Sequence, residues 1–212
     1  MLYLQKGNFQ KVVRSMGGSW MTSNQATFFG IIFILLTASG YYVGLSREGF
    51  RWVLLLVPVF LFMRLAMNTL DGLLSRERNT ATVAGEIWNE ALDVFGDTIC
   101  YGSLLLVPGV PDKPVILFLI LTWAAEFFGV LGKSMPGGMR RHETFGGGKP
   151  DRAVWMGLVA VILVVSPGFI KYFSYYLIFV SILVGLTSLI RIRKIIQAAR
   201  GKEYKSYTWI GK

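Results

Sequence analysis

Between about residues 26 and 190 the chain is written in apolar blocks of membrane-span length, yet ionisable residues sit inside those blocks. That combination restricts the fold more than any other feature. In hydrocarbon every backbone N–H and C=O must be satisfied within the segment, so a chain of such blocks folds as transmembrane helices. The in-block charges must then face partners, a metal or water, because each costs about 2.5–3.5 kcal/mol on insertion scales. With 53% hydrophobic residues among 212, the chain reads as one all-α polytopic membrane domain over 1–212.

Six spans are expected, at about 26–45, 52–74, 84–107, 115–131, 153–165 and 172–190. Pro58 is expected to kink the second. Residues 1–18 read as an amphipathic interfacial helix, with Phe9, Val12, Val13 and Met16 on one stripe and Lys6, Lys11 and Arg14 off it. Ser23 and Asn24 are placed to cap the first span. Residues 191–212 read as a basic cytoplasmic tail.

Basic residues crowd one side: Lys6, Lys11, Arg14, Arg76, Arg78, Lys133, Arg140, Arg141, Lys149, Arg152 and the tail, against Arg47, Arg51, Lys113 and Lys171 on the other. The positive-inside rule therefore puts both termini in the cytoplasm. The net charge of +10 is thus mostly topological, and a nucleic-acid partner is not expected. The single cysteine, Cys100, excludes an intrachain disulfide and reads as a packed thiol. With one histidine, His142, no His/Cys metal site can be built.

Half of the 12 carboxylates fall at 68–97. Asn68 and Asp71 are three apart and share a helix face; Gly85, Asn89, Asp93 and Asp97 recur every four and form one stripe on the next helix. The link between them is short and polar, so the two helices are antiparallel neighbours and the stripes converge at one membrane face. Clustered carboxylate and amide oxygens suit a hard divalent cation. Gly72 and Gly85 leave room for a ligand, Arg76 is a fork donor suited to phosphate, and Glu86 and Glu90 flank the stripe. Arg64, one turn before Asn68, either pairs with Asp97 or Glu126 in the bundle or touches substrate. The Gly-rich loop before the fifth span offers Lys133, Arg140, Arg141, Lys149 and Arg152 as a headgroup and phosphate clamp, with Lys149 and Arg152 favoured.

The run Asp71-Gly72-x-x-Ser75-Arg76, eight residues, Gly85-x-x-x-Asn89-x-x-x-Asp93 closely resembles the signature of the CDP-alcohol phosphatidyltransferase family, D-x-x-D-G-x-x-A-R-x8-G-x-x-x-D-x-x-x-D. The spacing matches throughout; Asn68 and Asn89 stand at the first and third aspartates, and Ser75 replaces Ala. In that family the first three aspartates chiefly bind two metals and the fourth is the base. Carried over, the resemblance implies that Asp71 is a metal ligand, Asp93 a ligand and the base, and Asn68 and Asn89 weaker ligands. Asp97 either supplies the missing charge or joins Asp93 in a frame shifted by one turn. The resemblance further implies one or two Mg²⁺ or Mn²⁺ ions and a homodimer in a bacterial inner or archaeal cell membrane. The expected reaction moves a phosphatidyl-type group from a CDP-linked lipid, CDP-diacylglycerol first, to an alcohol acceptor with release of CMP, at a site facing the cytoplasm. The alternatives are a degenerate relative that binds CDP-lipid or metal without turnover, and a carboxylate-lined transporter, which the absence of repeated halves argues against.

Overall fold

A computed structural model describes residues 6–17, 20–136 and 146–200, and these are all helix or connecting turn. The α-helices are α1 (Lys6–Gly17), α2 (Ser23–Ser46), α3 (Val57–Glu77), α4 (Val83–Gly102), α5 (Asp112–Ser134), α6 (Lys149–Val165) and α7 (Phe173–Ala199). Among the described residues four helical stretches are long and apolar enough to cross a membrane: Ser23–Ser46, Glu48–Glu77, Asp112–Ser134 and Pro167–Ala199. The protein is therefore a multi-pass membrane protein. By the same measure α4 carries too much charge in its 20 residues, with Glu86, Glu90, Asp93 and Asp97, and α6 is short at 17.

Helix boundaries follow local chemistry and correct several expectations. The span Glu48–Glu77 changes type beside Pro58: a 3-10 segment, Glu48–Leu56, leads into α3 and Pro58 falls in the first turn of α3, where a missing N–H costs nothing. Thr22, not Ser23 or Asn24, caps α2, forming a reciprocal capping box with Gln25. α7 continues to Ala199, so the first nine residues of the expected tail are helix, and Arg191 is buried at 3% exposure. Residues 201–212 lie outside the described residues, as do the side chains of Phe9 and Met16.

α2 packs along α3 and α5 along α7; α4 bridges α2 and α5, and α6 lies against α3. One apolar cluster runs through the centre, with Ile34, Tyr41, Leu61, Phe118, Met156 and Leu177. A second, with Val13, Met21, Ala26, Met67 and Leu70, seats α1 against α2 and α3. Large apolar side chains such as Phe28, Leu35, Val59, Phe62, Ile120, Phe127 and Ile182 point outward. Lipid tails are as apolar as Leu, so burying such groups does little to hold the helices together; close packing and interhelical hydrogen bonds must do so. Gly96 illustrates the first: a Cβ there would come within 2.6 Å of Ile34 and 2.7 Å of the Arg64 guanidinium. Tyr41 illustrates the second, donating across the bundle to the Met156 carbonyl at 2.9 Å.

Candidate functional site

The link between α3 and α4 is fixed at both ends. Asn79 adopts the left-handed conformation (φ 54°) and closes α3 with a Schellman pair, Thr80 N–H to Ser75 C=O at 2.9 Å and Asn79 N–H to Arg76 C=O at 3.3 Å. Thr82 caps α4, its hydroxyl accepting from the Gly85 N–H at 3.0 Å. Only Thr80 and Ala81 join the two caps, yet α4 packs on α2 and α5 rather than along α3 as the short link suggested; α3 reaches it through the side chains of Arg64 and Asn68.

That geometry builds a groove of about 870 Å³ at one end of the bundle. Its walls include Asp71, Gly72, Ser75, Arg76, Gly85 and Asn89 from the sequence motif, Ser23, Thr27 and Phe28 from α2, Glu86, Trp88 and Glu90 from α4, and Lys133 from α5. Asp71 is held by two α2 hydroxyls, Ser23 and Thr27, the latter at 2.8 Å. The Asn89 side-chain oxygen is buried and has no hydrogen-bond partner. Lys133 pairs with Glu90 at 2.6 Å and Glu86 at 3.3 Å.

One level deeper, α3, α4 and α6 meet at Asp93, which is 5% exposed. Its Oδ1 accepts from the Asn68 amide at 2.9 Å and from the Lys149 ammonium. The two stripes read from the sequence thus converge. Deeper still lies a buried ionic network. Arg64 donates to Asp97 Oδ1 at 2.5 Å and to the Asp93 carbonyl at 3.1 Å. Arg152, fully buried, donates to Asp97 Oδ2 at 2.7 Å, Glu126 Oε1 at 2.8 Å and the Gly147 carbonyl at 3.1 Å. Arg191 donates to the Ala125 carbonyl and lies 4.0 Å from Glu126. Among the described residues the network holds Arg64, Arg152 and Arg191 against Asp97 and Glu126.

Of the residues picked out from the sequence, Asp71, Gly72, Arg76, Gly85 and Asn89 line the groove, and Asn68, Asp93 and Lys149 join just behind it. Both Asp97 oxygens are engaged by arginines, and Arg152 is enclosed by carboxylates. Arg140, Arg141 and His142 lie outside the described residues. Sequence reading missed Ser23 and Thr27 as partners of Asp71. Their signal is visible in retrospect: two hydroxyls four apart at the polar start of an apolar span, on one helix face.

Among the described residues no group of three or more His, Cys, Asp or Glu side chains is arranged to hold a metal ion. The donors at the groove are instead mixed, the Asp71 carboxylate and the orphaned Asn89 oxygen. Such a set fits Mg²⁺ or Mn²⁺, since Mg²⁺ ordinarily takes one or two carboxylates, several waters and substrate phosphate oxygens rather than an all-protein cage.

No protein-family model matches the chain. The fold is similar to that of Mycobacterium tuberculosis phosphatidylinositol phosphate synthase (PgsA1), whose crystal structure has CDP-DAG bound; the TM-score is 0.62 at 15% identity, over 88% of this chain and 92% of that one. Choline/ethanolaminephosphotransferase 2 of Arabidopsis thaliana is 28% identical over 116 residues, 52% of this chain and 28% of that protein. Inner membrane protein YnbA of Escherichia coli (strain K12) is 33% identical over 199 residues, 92% of this chain and 96% of YnbA. The chain belongs to the YnbA family, and the solved neighbour and the Arabidopsis relative point to the CDP-alcohol phosphatidyltransferases.

Proposed function

We propose that the protein transfers a phosphatidyl-type group from a CDP-linked lipid, CDP-diacylglycerol in the simplest case, to an alcohol, releasing CMP. The observation that carries this reading is the convergence of Asp71, Gly72, Arg76, Gly85 and Asn89 on one groove, in the motif spacing of the phosphatidyltransferases and on the fold of one of them. Phe28 and Ile31 at the groove wall suit acyl chains, and polar walls suit a nucleotide.

Arg76 holds phosphate oxygens of the donor. The acceptor oxygen attacks the lipid-side phosphorus; a new P–O bond forms, the P–O bond to CMP breaks, and CMP leaves with the electron pair. Asp93 takes the acceptor proton, directly or through one water. Asp71 and Asn89 would be the oxygen donors for Mg²⁺ or Mn²⁺, which when bound neutralises pyrophosphate charge. Asp97 and Arg152 hold the bundle together beneath the site. In this reading α4 and α6 also cross the membrane, giving six spans, α1 lies in the interface, the groove faces the cytoplasm, and the protein works as a homodimer.

Purified protein incubated with CDP-diacylglycerol, Mg²⁺ or Mn²⁺ and a panel of alcohols is expected to release CMP in a metal-dependent way that rises with one alcohol. Asp93→Asn is expected to abolish turnover; substantial remaining activity removes Asp93 from the base role. The amide and ammonium already on Asp93 favour one second reading, a binding protein without turnover. CDP-lipid binding with no CMP release under any condition would establish it.

A further inference from the structure

We infer that Lys149 is a built-in cation at Asp93, and that the site consequently takes a single divalent ion, at Asp71 and Asn89. The inference rests on the transferase reading of the groove and fixes its cation count.

Asp93 Oδ1 is approached by two positive ends, the Lys149 ammonium and the Asn68 N–H. The Lys149 side chain is 10% exposed and that of Asp93 7%, so neither is freely solvated. Asp93 and Lys149 together are neutral. A divalent ion placed on that oxygen would meet an ammonium and an amide dipole pointing at it, with Asn68 adding no negative charge. Arg64 lies close behind, bonded to the Asp93 carbonyl. The electrostatics at Asp93 are therefore closed to a metal as long as Lys149 and Asn68 stand there. The opposite holds at the groove wall, where the Asn89 oxygen is buried without a donor and Asp71 is oriented by neutral hydroxyls. Lys149 can hold this place because it begins α6: Gly148 and Pro150 flank it, and Arg152 one turn on anchors the helix to Asp97 and Glu126. The lysine is thus positioned by structure on both sides, and a phosphate clamp is not its resting role.

The test is Mn²⁺ stoichiometry on detergent-purified full-length protein, read from the electron paramagnetic resonance signal of free Mn²⁺, with and without CDP-diacylglycerol. Wild type is expected to bind one ion per chain in both conditions. The double variant Asn68→Asp/Lys149→Met sets two carboxylates side by side and removes the internal cation, and is expected to bind two. Asn68→Asp alone keeps the lysine and is expected to stay at one. Two ions, or none, on wild type overturns the inference without recourse to any variant. One ion on a double variant that elutes as a single species and unfolds cooperatively also overturns it. CMP release is read separately: release with two ions bound retains the transferase and discards the built-in cation, whereas one ion with no release retains the cation and discards the transferase.

Discussion

Replacing Arg152 with methionine is the sharpest probe of what holds this bundle together. The guanidinium makes charge-assisted hydrogen bonds to Asp97 and Glu126 and a third bond to the Gly147 carbonyl, at zero exposure. Methionine fills comparable volume and supplies none of them. Hydrogen bonds to charged groups contribute about 1.5–3 kcal/mol each, so the gross loss is large. Part of it is recovered, because Asp97 keeps Arg64 on its other oxygen and Arg191 lies near Glu126. Breaking a buried pair by deleting one partner costs about 3–5 kcal/mol, and we expect Arg152→Met to fall there. At 1.36 kcal/mol per factor of ten, that lowers the folding equilibrium constant roughly a hundred- to several-thousand-fold. Arg152→Lys keeps the charge but not the fork, and should lose about 1.5–3 kcal/mol, one charged hydrogen bond. The assay is reversible unfolding in mixed micelles by SDS titration, followed by tryptophan fluorescence. A loss below about 1 kcal/mol for Arg152→Met, the level of an exposed pair, would refute the closed network. If that stable variant instead raised the KM for the acceptor, the arginine would belong to substrate binding.

Three further outcomes are expected. Thr27→Val removes one of the two hydroxyls on Asp71 and should weaken Mn²⁺ binding about 10- to 100-fold at unchanged stoichiometry, read by metal titration. Gly147→Ala drives a Cβ against Thr187 and the α7 backbone at Leu183 and Val184, which cannot give as a side chain can; an overpacking loss of about 1–3 kcal/mol should appear in the same SDS titration. Thr22→Ala opens the α2 capping box and should cost about 1 kcal/mol, seen as a lower thermal midpoint by circular dichroism.

Helix periodicity carried much of the site into view. The three- and four-residue spacings that put Asn68 with Asp71, and Asn89 with Asp93, are local geometry, and the structure brings the two faces together through the Asn68–Asp93 hydrogen bond. The Arg64–Asp97 pair was one of the readings the sequence left open, since an isolated charge in an apolar run demands a partner without saying which. What was not legible is depth. Spacing places Asp97 on the same stripe as Asn89, but only the reach of the Arg64 and Arg152 side chains from α3 and α6 shows that two turns along the stripe the surroundings change from groove to arginine. Lys149 and Arg152 looked alike in the sequence, three residues apart near the start of one span. Their separate fates depend on which neighbour each meets, Asp93 in one case and Asp97 with Glu126 in the other. The α2 cap was misplaced by one residue because Ser23 is a good cap by type, and its hydroxyl is instead spent on Asp71, 48 positions away.

The buried arginine network also constrains how the chain is made. Its members come from five different helices, Arg64 on α3, Asp97 on α4, Glu126 on α5, Arg152 on α6 and Arg191 on α7. In chain order Arg64, Asp97 and Glu126 each precede a partner carried by a later helix, whereas Arg152 and Arg191 meet partners already made. The shortest of the five, α6, carries Arg152 in its first turn and has little apolar length with which to offset it. Placement of α6 is therefore coupled to Asp97 of α4 and Glu126 of α5, and α7 is needed before Arg191 can reach the Ala125 carbonyl and Glu126. The charge pairing is thus complete only once α7 has joined the helices before it.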